Sequence, residues 1–393
     1  MDKCLFCDCD LSPGSEEHVF LSSIGGRIKT RKATCVTCNN AFAGVGTGKI
    51  DDVFAKSFLQ VRNGLKIWTG RDGEPPTIFK AGRLADGSEF DLAPAFIPIV
   101  RKARIPDTSS LTSGSVHTLT ATDEQDAKRV MDILSKKGFD AAITGAYRVR
   151  EKAPLVKFSI SFSEAGTLRS AAKTAVLAVC MLYGNELSRE KIDRGLLQAI
   201  RYGSPDIGNY TGWDYINPWP IIESLVPHPK TPDSTQSGYE HSVVIANVHD
   251  VWIAYLEFFG GFRFSLRLGG NSGLAPRGLA INPRSAVPAR FVVAARPPGI
   301  YEAKNEFSYK NEFKETSAGV QRAFTRIVET WKKESEDAHF QELSNELMEE
   351  LASGDGSAKS RAAAIRKWAE KIAITEMGAR WSEKIDIPFD DDP

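Results

Sequence analysis

The sequence lacks net charge: its 393 residues carry 50 Lys and Arg against 50 Asp and Glu. A chain with no global positive field is not drawn as a whole to nucleic acid or to an anionic membrane, so any basic surface must be local. No apolar run approaches the ~18 to 20 residues that a membrane span needs. The hydrophobic share of 42% and charged share of 25% are ordinary for a globular protein. The opening residues, MDKCLFCDCD, lack the basic-then-apolar order of a secretory leader, which predicts a cytoplasmic protein with reduced cysteines. Neither a Walker A loop nor a dinucleotide-binding glycine fingerprint occurs, so ATP- or NAD-driven chemistry is not indicated. Internal repeats and low-complexity tracts are also missing.

Cysteine is scarce, and its distribution is the strongest signal in the composition. Of six cysteines, Cys4, Cys7, Cys9, Cys35 and Cys38 fall in the first 38 residues and only Cys180 lies elsewhere. Two C-x2-C pairs, Cys4 with Cys7 and Cys35 with Cys38, have the spacing of a four-thiolate zinc site, because a two-residue turn lets both sulfurs of a pair converge on one ion at ~2.3 Å. Cys9 competes with Cys7 as a ligand, and the Cys4–Cys7 pair fits the spacing. Four thiolates leave no open coordination position, so this zinc is structural.

The pattern along the chain predicts an α+β protein with three parts. Residues 1–70 form a Cys-rich unit closed by an amphipathic segment, IDDVFAKSFLQVRNGL, with Asp51 as its cap. Residues 71–300 form a mixed domain, with strand-like runs at FIPIV, LVKFSISF, HSVVIANV and VWIAYLEFF and a helix at DEQDAKRVMDILSKKG. TLRSAAKTAVLAVCMLYG is apolar or small on most sides and reads as a buried helix ended by Gly184, followed by a helix capped by Ser188. Residues 301–393 are charged and helical, in three segments, and end in an acidic tail.

Between the cysteine pairs the chain reads EEHVFLSSIGG, and Asn39 and Asn40 follow the second pair at once. Together, the C-x2-C pair, Glu17-His18, Gly25-Gly26 and C-x2-C-N resemble the zinc-ribbon branch of the HNH endonuclease family over roughly the first 60 residues. The resemblance implies a ββα-metal fold that holds one divalent ion and cuts a phosphodiester bond. Hydrolysis requires a water deprotonated near neutral pH, which assigns His18 as general base, and a cation beside the phosphate. A hard cation such as Mg²⁺ or Mn²⁺ takes oxygen ligands, which the Glu17 carboxylate and the Asn39 carbonyl supply. Arg27, Lys29, Arg31 and Lys32 lie next in sequence, either as phosphate contacts or as a solvated loop.

Leu21 stands where many family members have proline, Ala43 where some have a further histidine, and the central asparagine is replaced by Thr30 or Thr34. His18 read alone is a packing histidine or a stand-in zinc ligand, and Asp51 is a helix cap or a further ligand. A zinc-ribbon module that binds nucleic acid without cutting is the rival reading. A nuclease gated by a small nucleotide bound to the later domain is another. DNA is the expected partner, and a homodimer stays open. The settings in which such architectures occur are prokaryotic defence and mobile elements. Arg169, Lys173, Arg194 and Arg201 read as a solvated basic face. His241 and His249 read as plain sheet residues. Tyr210, Trp213, Tyr215 and Trp219 read as a loop packed over a core or a base-stacking platform.

Overall fold

The computed structural model describes residues 2–12, 15–44, 49–67, 79–83, 88–93, 97–102, 121–139, 146–150, 164–203, 206–215, 239–248, 250–284, 288–292, 313–377 and 381–385. The architecture is α+β, and the chain divides into two compact units: residues 1–75 with 159–331, and residues 76–158 with 332–393. The Cys-rich segment therefore shares a unit with later helices and strands, against which its apolar side chains are buried.

In the first unit, β1 (Glu17–His18) and β2 (Lys29–Thr30) pair antiparallel, with Glu17 opposite Thr30 and His18 opposite Lys29. The chain between them passes a 3-10 turn at Ser22–Ile24 and then Gly25, at φ +93°. A Cβ on Gly26 would stand 1.8 Å from the Phe20 carbonyl oxygen. The two glycines thus meet separate demands, left-handed backbone and close approach. Helix α1 (Val36–Ala43) starts from Cys35, whose sulfur accepts the Cys38 N–H at 3.4 Å.

The expected amphipathic helix is two helices, α2 (Ile50–Ser57) and α3 (Leu59–Gly64), broken at Phe58. The Phe58 ring is buried against Phe54, Phe259 and Phe262, so packing rather than propensity sets the break. Lys49 holds the cap position of α2, and Asp51 lies inside the first turn, where its carboxylate is used elsewhere.

Helix α5 (Glu164–Tyr183) is the core of this unit, with Ala171, Ala172, Ala175 and Ala178 fully buried. Those small residues let α2 and the sheet approach it closely. Its stretch Ala165–Tyr183 does reach the length and apolarity of a membrane span, contrary to the reading of the sequence, but 78% of it is buried inside the protein. Gly184, at φ +97°, ends it. The next segment is again two helices, α6 (Asn185–Lys191) and α7 (Arg194–Tyr202). Ser188 is no cap; it sits within α6 and donates to the Gly184 carbonyl at 2.6 Å, while Asp193 caps α7 through the Gly195 N–H at 2.7 Å.

The strands β7 (Thr211–Trp213), β8 (His241–Val248), β9 (Val251–Phe258), β10 (Phe262–Gly270), β11 (Arg277–Ile281) and β12 (Pro288–Val292) form one antiparallel sheet in the order β12-β11-β8-β9-β10-β7. Trp213 packs on Phe264 at 4.2 Å between ring centroids, and the Tyr215 hydroxyl donates to the Gly261 carbonyl at 3.0 Å. These aromatics cover a core; Trp219 and His249 lie outside the described residues.

The second unit has an antiparallel sheet of β3 (Phe79–Arg83), β4 (Glu89–Ala93) and β5 (Ile97–Lys102). Helix α4 (Glu124–Lys136) is capped by Asp123, and β6 (Ala146–Arg150) pairs with β13 (Trp381–Ile385). Helix α8 (Phe313–Ser353) is one continuous helix where two are expected, and the unit boundary falls inside it. It joins α9 (Ala358–Met377) through the ion pairs Glu350–Lys367 and Glu346–Lys371 and the Phe340–Trp368 ring contact. LVKFSISF and the acidic tail lie outside the described residues.

Candidate functional site

The sulfurs of Cys4, Cys7, Cys35 and Cys38 all lie within 4.8 Å of one another. Tetrahedral zinc with ~2.3 Å bonds needs sulfurs ~3.8 Å apart, so the four lie close enough to hold one metal ion. Cys9 is exposed and outside the cluster. The first knuckle closes through Cys4 N–H to the Cys9 carbonyl at 2.8 Å and Asp8 N–H to the Cys4 carbonyl at 3.1 Å, with Asp8 at φ +59°. Leu5 N–H donates to the Ala33 carbonyl at 2.9 Å and joins the two knuckles. A hydrogen bond from the Cys38 thiol, above all, pulls the Cys4 thiol down to about 5, and the same bond pushes the Cys38 thiol up.

Three side chains from beyond the N-terminal segment support this centre. Arg201 Nε donates to Cys38 Sγ at 3.2 Å, a cation placed to offset clustered thiolate charge. Asn185 Nδ2 donates to the Lys3 carbonyl at 2.8 Å and the Lys32 carbonyl at 2.6 Å, and the Cys180 thiol to the Lys32 carbonyl at 3.2 Å. Sequence reading missed all three, since none lies near a cysteine pair in the chain.

Beside the cluster, β1 carries Glu17 and His18, and α1 carries Asn39. Asn39 Nδ2 donates to the Glu16 carbonyl at 3.1 Å, which fixes the helix to the strand one residue before Glu17. His18 is half-buried; burial, with Lys29 and Arg27 nearby, pulls its imidazole below the usual histidine range and keeps it neutral at physiological pH. Glu17 is buried, and burial pushes its carboxyl above the usual range despite Lys173. Its Oε1 accepts from the His18 N–H at 3.0 Å and from Lys173 Nζ at 3.2 Å, whereas Oε2 is buried with no hydrogen-bond partner.

Lys173 and Arg169 correct the expectation of a solvated basic face. Lys173 is 1% exposed and pairs with both Glu17 and Asp51; Arg169 is buried and donates to the Ile200 carbonyl at 2.8 Å. Arg194 does lie half-exposed, where it pairs with Asp8. In the basic loop, Lys29 pairs with Glu16 at 2.7 Å and Arg31 with the same carboxylate at 3.1 Å. Lys32 is exposed and Arg27 half-buried. Thr30 Oγ1 accepts the Lys32 N–H at 3.3 Å, and the Thr34 hydroxyl is buried with no partner. His241 does more than fill the sheet, since its Nε2 bonds the Ile24 carbonyl at 2.8 Å and its Nδ1 accepts the Phe259 N–H at 3.1 Å. It therefore ties the loop that follows the Glu17-His18 strand to the sheet. No protein-family model, curated protein or solved structure matches this chain.

Proposed function

We propose that this chain is an HNH-type endonuclease that hydrolyses phosphodiester bonds in DNA, with structural zinc at Cys4, Cys7, Cys35 and Cys38 and a catalytic Mg²⁺ or Mn²⁺ at Glu17 and Asn39. The observation that carries the reading is the bond from Asn39 Nδ2 to the Glu16 carbonyl at 3.1 Å, because it ties the helix that carries Asn39 to the strand that carries Glu17 and His18. With the amide nitrogen committed, the Asn39 carbonyl oxygen is the atom assigned to the ion. The partnerless Glu17 Oε2 suits a hard cation for the same reason. A divalent ion bound there supplies counter-charge for the phosphate oxygens as the bond breaks.

His18, held neutral by burial and by the flanking cations, takes the proton of the attacking water. Lys32 and Arg27 contact DNA phosphates, and Lys29 and Arg31 reach them by exchanging their pairing with Glu16. A zinc-bound module that binds nucleic acid without cutting is the second reading, favoured by the Lys173 ammonium already bonded to Glu17.

Plasmid cleavage by pure protein with Mg²⁺ or Mn²⁺ tests the proposal. His18→Ala should cut at least ~100-fold more slowly, the usual scale for a lost general base, with zinc content and DNA affinity unchanged. Asn39→Ala should be partly rescued by raised metal, since a lost ligand weakens ion binding and leaves the base in place. Loss of zinc from His18→Ala would make His18 a structural ligand, and binding without cutting by the wild type would favour the module.

A further inference from the structure

Lys173 comes from the middle of a helix remote in sequence from the Glu17-His18 strand. Its ammonium lies 2.6 Å from Asp51 Oδ2 and 3.2 Å from Glu17 Oε1, and 4.9 Å from the centroid of the Phe42 ring. One ammonium bridges two carboxyl groups, Glu17 with a side chain 6% exposed and Asp51 with one 14% exposed. Glu17 Oε2 and Asp51 Oδ1, one oxygen from each acid, are buried with no hydrogen-bond partner, and Glu17 as a whole is only 5% exposed. Buried carboxylate oxygens without donors are costly to a fold unless something else satisfies them. A divalent cation with a preference for carboxylate oxygen does so.

We infer that Glu17 Oε2 and Asp51 Oδ1 ligate a divalent cation, and that Lys173, holding the opposite oxygens of the same two carboxylates, sets how tightly that cation binds. The inference rests on the assignment of Glu17 to a divalent ion made above, and does not require that DNA be cut. In the absence of the cation, the ammonium holds the two carboxyl groups side by side. When the cation arrives, the same ammonium repels it across a water-poor interior, so affinity is held below what two carboxylates alone would give. Lys173 is in this sense a positioning residue with a charge cost.

Mn²⁺ binding to the zinc-loaded, full-length protein, followed by the paramagnetic resonance of free Mn²⁺ in mildly alkaline buffer without DNA, tests the inference. The wild type should bind Mn²⁺ weakly and Lys173→Met about tenfold more tightly or better, as expected for removal of a like charge at close range. Lys173→Arg, which keeps the charge, should stay near wild type, and Glu17→Gln and Asp51→Asn should each lose binding. Zinc content and circular dichroism verify each fold; if Lys173→Met does not fold, the arginine, glutamine and asparagine variants decide. A zinc-loaded Lys173→Met that binds Mn²⁺ no better than wild type overturns the inference, as does Asp51→Asn with wild-type affinity or a wild type that binds no Mn²⁺. The expected Mn²⁺ shifts without plasmid cutting would remove the nuclease reading alone. Cutting that persists in Asp51→Asn would remove this inference alone.

Discussion

His241 is fully buried between Phe20, Phe258 and Phe259, and burial pulls its imidazole down to about 4. Its hydrogen bonds require the neutral ring: Nε2–H donates to Ile24, and Nδ1 accepts from Phe259. The unfolded chain binds a proton at this residue below pH 6.5, whereas the folded chain does so only below about 4. Stability from this group is therefore complete above pH 6.5 and is lost as the pH falls toward 4. A shift of this size is worth about 3 kcal/mol. We expect urea unfolding of the wild type to lose about that much relative to His241→Gln across this window. The comparison between the two proteins cancels the separate effect of acid on the thiolates. Equal pH slopes for both would show that His241 does not titrate on unfolding.

Short elements rather than long ones position the site, and the Gly25-Gly26 turn between β1 and β2 is the tightest of them. Because an alanine Cβ at position 26 would meet backbone at 1.8 Å, no rotamer can relieve it. Gly26→Ala should cost about 3 kcal/mol or more in urea titration, the scale of a forced backbone shift, and displace the strand bearing Glu17 and His18. Gly270→Ala, with nothing within 4 Å of the added carbon, is the control and should stay within about 0.5 kcal/mol. The glycine pair was legible in the sequence, as were the two cysteine pairs, the buried character of α5 and its end at Gly184. Helix breaks were not legible. α2 parts from α3 because the Phe58 ring enters an aromatic cluster made by the β9–β10 hairpin, and that packing is written just over 200 residues away. The same holds for Lys173. Its one local signal was a cation in the small and apolar run SAAKTAVLAV, and a charge on a buried helix must find a partner.

At the scale of the molecule, the cysteine cluster is not a free-standing bead at the chain's start. Residues 1–75 belong to the same compact unit as 159–331, and several of the contacts that join them fall on the knuckles: Asn185 on Lys3 and Lys32, Cys180 on Lys32, Arg201 on Cys38, and Arg189 and Arg194 on Asp8. Phe20, Phe54 and Phe58 extend the same core onto Phe258. Each buried phenylalanine of this kind is worth about 2 to 3 kcal/mol, so a metal held by the four cysteines would stabilise the same body as the core packing. The pure protein should carry about one zinc per chain, since four thiolates select zinc strongly over Mg²⁺. Cys35→Ser should then release that zinc and loosen more than the knuckles. Hydrogen exchange should quicken in α5 and in β8 to β10 as well as in α1. Residues 76–158 and 332–393 have buried side chains of their own, Phe90, Leu92, Val130, Leu134 and Leu343 among them, and α4, α9 and β3 to β5 should keep their protection. Exchange that quickens only in residues 2–44 would show that the cysteine segment folds apart from its unit. Quickening throughout the chain would show that the two units unfold together, and folded Cys35→Ser protein with full zinc would remove Cys35 from the metal centre.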